Sequence, residues 1–272
     1  MTIGGRTNRV GNKPAKKDLP APIVQDFRKE LDKALQEVDD QGRKWGGSKW
    51  GVYAFFDYDG EPIYVGQTNE RLAGRVKRHL TNQRTDAVAM RILDVFEVAE
   101  LELWPLWDLQ GRGTSDAEAK RLLDEVEYSA YLHAIENSKF KAILNEKIPP
   151  KSDSPIELPP SRRFKLVTPE LRRERGHPDT RIARRADMLA RLSAVAHERG
   201  EVSTGLRRVL LIQAIRLTYL AATRLAYVEG RPEPDPSAID ASKLIGQVLV
   251  EEDDPEGSTD MDELFDVTLD GE

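Results

Sequence analysis

The chain has 272 residues, 39% apolar and 32% charged, with four histidines and no cysteine. Disulfides, thiolate zinc sites and cysteine nucleophiles are therefore excluded. No apolar run approaches the roughly 18 residues of a membrane span, and the N-terminus lacks the hydrophobic stretch of a signal peptide, so a cytoplasmic protein with no membrane partner is expected. The net charge of −6 conceals an asymmetry: residues 161–231 carry 16 Lys and Arg against 7 Asp and Glu, whereas residues 232–272 carry 1 against 14. Residues 1–49 are +4 and residues 50–160 are −6. A basic segment inside an acidic chain suits phosphate-backbone binding, and a solvated, salt-bridged helical surface fits the charge equally well.

In chain order, residues 1–21 read as a flexible basic arm, rich in Gly, Lys and Asn. From Pro22 to about Asp40, Ile23, Phe27, Leu31, Ala34, Leu35 and Val38 recur at helical spacing. Trp50–Asp57 (WGVYAFFD) and Pro62–Val65 (PIYV) predict two strands joined by a tight turn at Asp59-Gly60. Asn69–Leu80 predicts a short helix, Val98–Leu106 a third strand, and Asp116–Asn137 a long helix capped by Ser115; residues 87–96 fit neither pattern.

Residues 148–160 contain five prolines, forming either a linker or a stretch wrapped over the surface. A boundary is expected there. A domain at 22–150 precedes a linker at 151–165 and a basic α-helical region at 166–250 for DNA binding or dimerisation. Within that region helices are predicted at about 180–199 and 204–228. The second is apolar around most of its circumference, which suits burial between helices or a subunit interface through which the chain forms a homo-oligomer. Residues 251–272 read as an acidic disordered tail. That tail competes with DNA for the basic segment, docks a protein partner, or serves solubility alone.

One ordered set of residues carries chemistry: Gly51-Val52-Tyr53 on the first strand, Tyr64-Val65-Gly66 on the second, Arg75 and His79 four apart on a helix, Glu127 on the long helix, and Asn145 after it. This set resembles the GIY-YIG nuclease family over roughly residues 50–147. The resemblance implies an α+β fold, with a small domain built on a β-hairpin and a third strand flanked by helices. It also implies a metal-dependent endonuclease acting on DNA, with RNA left open as a substrate.

The catalytic set would be Tyr53, Tyr64, Arg75, His79, Glu127 and Asn145. By resemblance Tyr53 is the general base and His79 accepts or relays its proton. Tyr64 positions water or Tyr53, and Arg75 binds the scissile phosphate. Glu127 supplies the oxygen for Mg²⁺ or Mn²⁺, with Glu125 and Glu136 as fallback ligands. Asn145 holds the site together or contacts phosphate. A phenol of ordinary pKa ~10 is a poor base at neutral pH, so a nearby cation must favour its phenolate. Gln67 stands where many members carry Lys, and Arg71 is the candidate replacement. Nucleic acid would be held by Arg71 and Arg78 beside the site and by Arg184, Arg185, Arg207 and Arg208 in the basic region. Arg75 and His79 together resemble the restriction and homing branches, so restriction or defence is expected. The alternatives are a repair or recombination nuclease and a binding module that keeps the fold without activity.

Overall fold

A computed structural model of the chain describes residues 19–81, 92–152, 155–239 and 241–246. The basic arm before Leu19, the acidic tail and part of the ambiguous 87–96 stretch lie outside them. The fold is α+β. Helix α1 spans Pro22–Gln36, strand β1 Gly51–Phe56, β2 Pro62–Thr68, α2 Leu72–Thr81, β3 Glu100–Pro105 and α3 Ala117–Asn137. After the Pro-rich stretch come β4 Arg162–Lys165, α4 Pro169–Arg175, α5 Pro178–Arg199, α6 Thr204–Val228 and the short α7 Ala241–Ile245.

The four strands form one antiparallel sheet in the order β2-β1-β3-β4. Every residue of β1 is buried, because both faces of the sheet are covered. Successive strand residues point to opposite faces. Tyr53 and Phe55 join Leu101 and Leu103 beneath α1, α2, α5 and α6, whereas Val52, Ala54 and Phe56 join Val65 and Trp104 beneath α3. Burial on both faces explains why WGVYAFFD is an unbroken apolar run rather than an alternating one.

The β1–β2 turn follows its sequence signal. Gly60 has φ +74°, a backbone state that Gly adopts without strain. The Asp57 carboxylate ties the turn together, one oxygen accepting from the amides of Asp59 (2.8 Å) and Glu61 (3.1 Å). The long helix differs at its start. Asp116, not Ser115, caps it, accepting from the Ala119 amide at 3.1 Å.

The expected division at the Pro-rich stretch is corrected in two places. Residues 155–158 wrap α3, with the Ile156 amide donating to Ser129 Oγ (2.9 Å) and Ile156 and Leu158 packed on the core beneath. Arg162–Lys165 then pair with β3, adding a fourth strand instead of ending a linker. Leu192 and Val195 of α5 and Leu206, Val209 and Ile212 of α6 sit in the same core as Tyr53 and Phe55. The C-terminal helices are thus one cover of the sheet.

That cover is fastened by charge. The second oxygen of Asp57 accepts from Arg181 (3.1 Å), Arg185 (2.9 Å) and Arg216 (2.8 Å). Glu97 accepts from the Nε groups of Arg181 (3.4 Å) and Arg185 (3.1 Å) and also pairs with Arg184. Burial alone would raise the Asp57 pKa, but the charges of Arg216, Arg181 and Arg185 override it and hold the carboxyl below its ordinary value. The −6 segment and the +9 segment therefore meet inside the molecule.

Helix α6 also corrects the expectation that no segment could span a membrane, since by length and composition it is long and apolar enough. Its Gln213 and Arg216 are nevertheless buried in the protein, along with Val209, Ile212 and Ile215. Burial between helices, one of the two readings of its apolar surface, accounts for that half of the helix.

Candidate active site

The site sits on the β1–β2 hairpin, facing α2. Antiparallel pairing sets Tyr53 opposite Gly66 and Phe55 opposite Tyr64. The two tyrosine rings lie on one face, 6.2 Å between centroids. Gly66 is required there for space, since a Cβ on it would lie 2.6 Å from Tyr53 Oη and 2.8 Å from the Tyr64 ring. Gly51 is equally confined, with Trp104 O 2.8 Å and Leu72 Cδ1 2.7 Å from its would-be Cβ. The glycines of both triplets are thus fixed by packing.

Helix α2 buries Leu72, Val76 and Leu80, an i, i+4, i+8 stripe. That orientation carries Arg75 and His79 on the neighbouring stripe toward the tyrosines. His79 Nε2 lies 3.3 Å from Tyr53 Oη, and its ring centroid is 5.5 Å from that of Tyr64.

Tyr53 is fully buried, whereas Tyr64, Arg75 and His79 are half-buried around it. Burial pushes the Tyr53 phenol up to about 12, against the opposing charge and hydrogen bond of Arg75, while Glu127 adds to the rise and a hydrogen bond with Tyr64 lowers it. Burial, with Tyr53 and Glu127 nearby, also holds Tyr64 well above the ordinary phenol value. His79 is pulled down to about 4, by burial first and then by the positive charges of Arg75 and Arg78. At neutral pH its ring is uncharged and able to accept a proton.

Glu127 enters from α3. Its carboxyl is buried, and burial together with the neighbouring Asp124 pushes its pKa up to about 8 while Arg75 opposes the rise. Asp124 is in turn held by Gln67, whose Nε2 donates to Asp124 Oδ1 at 2.8 Å. The Gln at the expected Lys position thus braces β2 against α3. The sequence reading missed Asp124, although its i, i+3 spacing from Glu127 places both on one helix face. Of the fallback ligands, Glu125 pairs with Arg121 at 3.0 Å and Glu136 lies exposed on a later turn.

Asn145 is buried and engages backbone. Its Oδ1 accepts from the Val65 amide (3.0 Å) and its Nδ2 donates to the Val65 carbonyl (2.8 Å). β2 is an edge strand, and Asn145 satisfies there the groups a further strand would have paired. The structure therefore gives this residue a positioning contact.

The nucleic-acid candidates divide. Arg71 is exposed just before α2, and Arg78 on α2 pairs with Glu70. Arg207 is exposed, donating to the Gly200 carbonyl at 3.3 Å. Arg184 and Arg185 are committed to the buried acidic network, and Arg208 donates to the Glu146 carbonyl at 2.8 Å. The expectation that the first two of these meet DNA is corrected. Acids from the hairpin and the segment before β3, distant in sequence, claim the first two.

Residues 49–120 match the model of the GIY-YIG catalytic domain. No curated protein and no solved structure matches the chain. Tyr53, Tyr64, Arg75 and His79 fall within the matched segment; Glu127 and Asn145 follow it and reach the site through the fold. Residues 49–120 are thus similar to a GIY-YIG catalytic domain, a nuclease-type domain, and that segment holds the hairpin and four of the six site residues.

This domain type implies a divalent cation. Among the described residues no group of three or more His, Asp and Glu side chains is placed to hold one. Mg²⁺ retains several waters and needs only one or two protein carboxylates. The buried Glu127 carboxyl is a hard oxygen donor that stays protonated up to about 8 in the absence of a cation. The donor set fits.

Proposed function

We propose that the protein is an Mg²⁺- or Mn²⁺-dependent endonuclease that hydrolyses DNA phosphodiester bonds, with a role in restriction or defence against foreign DNA. The observation that carries the reading is the contact of a neutral His79 Nε2 with Tyr53 Oη at 3.3 Å, beside Arg75 and Glu127.

Because Tyr53 is buried and hydrogen-bonded to Tyr64, the three side chains form a proton chain with Tyr64 at its outer end. Water attacks phosphorus as its proton passes to Tyr64 Oη. The Tyr64 proton moves to Tyr53 Oη, and the Tyr53 proton moves to His79 Nε2. The new P–O bond forms as the bond to the leaving oxygen breaks, and that oxygen departs with the bonding pair and takes a proton from solvent water. No free phenolate is needed, which matters for two phenols that burial holds well above their ordinary value.

Arg75 binds the scissile phosphate through its planar fork. Pairing with that anion offsets the Arg75 charge, one of the causes that depress His79, so the ring becomes a better base once substrate is bound. Glu127 would hold the cation, which supplies neutralisation of the charge that builds on the phosphoryl oxygens. The role in restriction or defence rests on the Arg75–His79 pairing. Incubating plasmid DNA with the protein and Mg²⁺ tests the reading. Nicking or linearisation that EDTA abolishes is expected, and full DNA binding without cleavage would replace it with a non-catalytic binding module.

A further inference from the structure

Helices α1 and α2 leave between them a groove of about 390 Å³, lined by Arg28, Asp32, Gly74, Lys77, Arg78 and Thr81 over an apolar floor at Leu31. We propose that this groove binds the sugar–phosphate backbone of the DNA strand beside the scissile phosphate. The proposal rests on the nuclease reading and adds a binding track to it. α1 lies outside the segment that matches the catalytic domain.

Position is the first argument. Arg71, Arg75 and Arg78 follow at steps of four and three residues, so they share one stripe of α2 and its approach. Each such step covers about 5–6 Å. A DNA strand carries a phosphate every 3.4 Å along its axis, so a strand placed on Arg75 has phosphates within reach of the groove.

Charge is the second. Three cations line the groove against one carboxylate, Asp32. The acids that occupy the cations are weakly held: Lys77–Asp32 and Arg78–Glu70 are pairs whose side chains are all at least 42% exposed. Such pairs contribute little and exchange readily for phosphate. Arg28 donates to the Thr81 carbonyl at 3.3 Å, but the Nε–H groups of Arg28 and Arg78 have no hydrogen-bond partner among the described residues.

Gly74 is the third. Glycine inside a helix costs stability relative to alanine, and such a residue usually serves packing. Here a Cβ at Gly74 would meet nothing within 4 Å. Among the described residues no element uses the space, and bare backbone faces the groove. A docking strand uses it.

The test is binding of a DNA duplex by the full chain carrying Glu127→Gln, in EDTA, across a salt series. Adding Arg28→Ala with Lys77→Ala should weaken binding about tenfold at 0.1 M salt and make the slope of log K against log salt shallower by one to two units, near 0.9 per phosphate lost. Gly74→Glu should weaken it similarly, whereas Gly74→Ala, which suits the helix, should change it little. With Glu127 restored, Arg28→Ala with Lys77→Ala, and separately Gly74→Glu, should raise KM and leave kcat unchanged. Affinity and slope unaltered in all three variants overturn the groove while the nuclease reading stands, provided the unsubstituted chain binds and cuts. A chain that neither binds nor cuts DNA overturns both.

Discussion

The Asn145 carboxamide closes on both backbone groups of Val65, a residue 80 positions earlier, at 3.0 and 2.8 Å. The same side chain both donates and accepts, which fixes the amide's orientation and pins β2 midway between Tyr64 and Gly66. Asn145→Ala leaves a buried N–H and a buried C=O unsatisfied, at about 1–3 kcal/mol for each such group. Denaturant unfolding should register a loss of about 2 kcal/mol or more. Cleavage measured well below the new melting temperature should fall less than in Tyr53→Phe; equal losses would place Asn145 in contact with substrate.

Tyr53→Phe removes the middle member of the proton chain and keeps the ring that packs on Phe55, 5.4 Å between centroids. One lost hydroxyl bond should change stability by about 1 kcal/mol. Loss of relayed base catalysis should cost on the order of 10²–10⁴ in rate. A variant that cuts normally but melts early would make Tyr53 structural. Tyr64→Phe should match it in rate, because either change interrupts the same chain.

Glu127→Gln should abolish cleavage at any Mg²⁺ concentration and alter how the metal-free protein responds to pH. Folded, Glu127 keeps its proton up to about 8, whereas the unfolded side chain releases it near 4.5. The folded state therefore binds more protons across that window, and stability from this group falls as pH rises through it. His79 works the other way: its folded pKa of about 4 lies below the unfolded 6.5, so its contribution is lost on acidification between them. Of the two, only Glu127 titrates between pH 6.5 and 8. Melting temperatures in EDTA should decline over that range in the unsubstituted protein and decline less in Glu127→Gln. Excess Mg²⁺ should oppose the decline by binding the ionised carboxylate.

Asp57→Ala should destabilise the chain by about 3–5 kcal/mol, the cost of stranding buried guanidinium groups without their partner, since Arg181 and Arg216 are each 2% exposed. A chain ending at residue 150 strips the same cover and removes β4, so it should lack a cooperative unfolding transition. A truncated chain that melts sharply and cuts DNA would show the C-terminal helices to be an appendage.

The sequence made the hairpin, α2, β3, α3 and α6 legible because each has a local signal: a Gly turn, an apolar stripe or a run of fixed length. Helix α6 coincides with its predicted 204–228 bounds. Strand β4 was not legible, since Arg162, Arg163 and Lys165 are exposed around a single buried Phe164 and only pairing with β3 makes them a strand. In the site, Tyr53, Tyr64, Arg75 and His79 were legible through the family resemblance, whose motifs they carry within 27 residues. The Asn145 contact, the Gln67–Asp124 brace and the burial of Arg185 could not, because each depends on a partner at least 57 residues away. The surplus of arginine in 161–231 misled for the same reason: composition counts charges but does not show what they face.

Arg216 reaches the Asp57 carboxylate across 159 residues of chain. At a synthesis rate of about 5–20 residues per second, roughly 8–30 s separate the emergence of that acid from its last cation. Until then the turn joining the two tyrosine strands lacks at least one of the three cations that share its buried carboxylate, and part of the sheet's cover does not exist. A ribosome-bound fragment ending before α6 is thus a hairpin that cannot yet close over its own active site. The cleaving machinery is covered only once α6 has been made, well after its own last residue, Asn145.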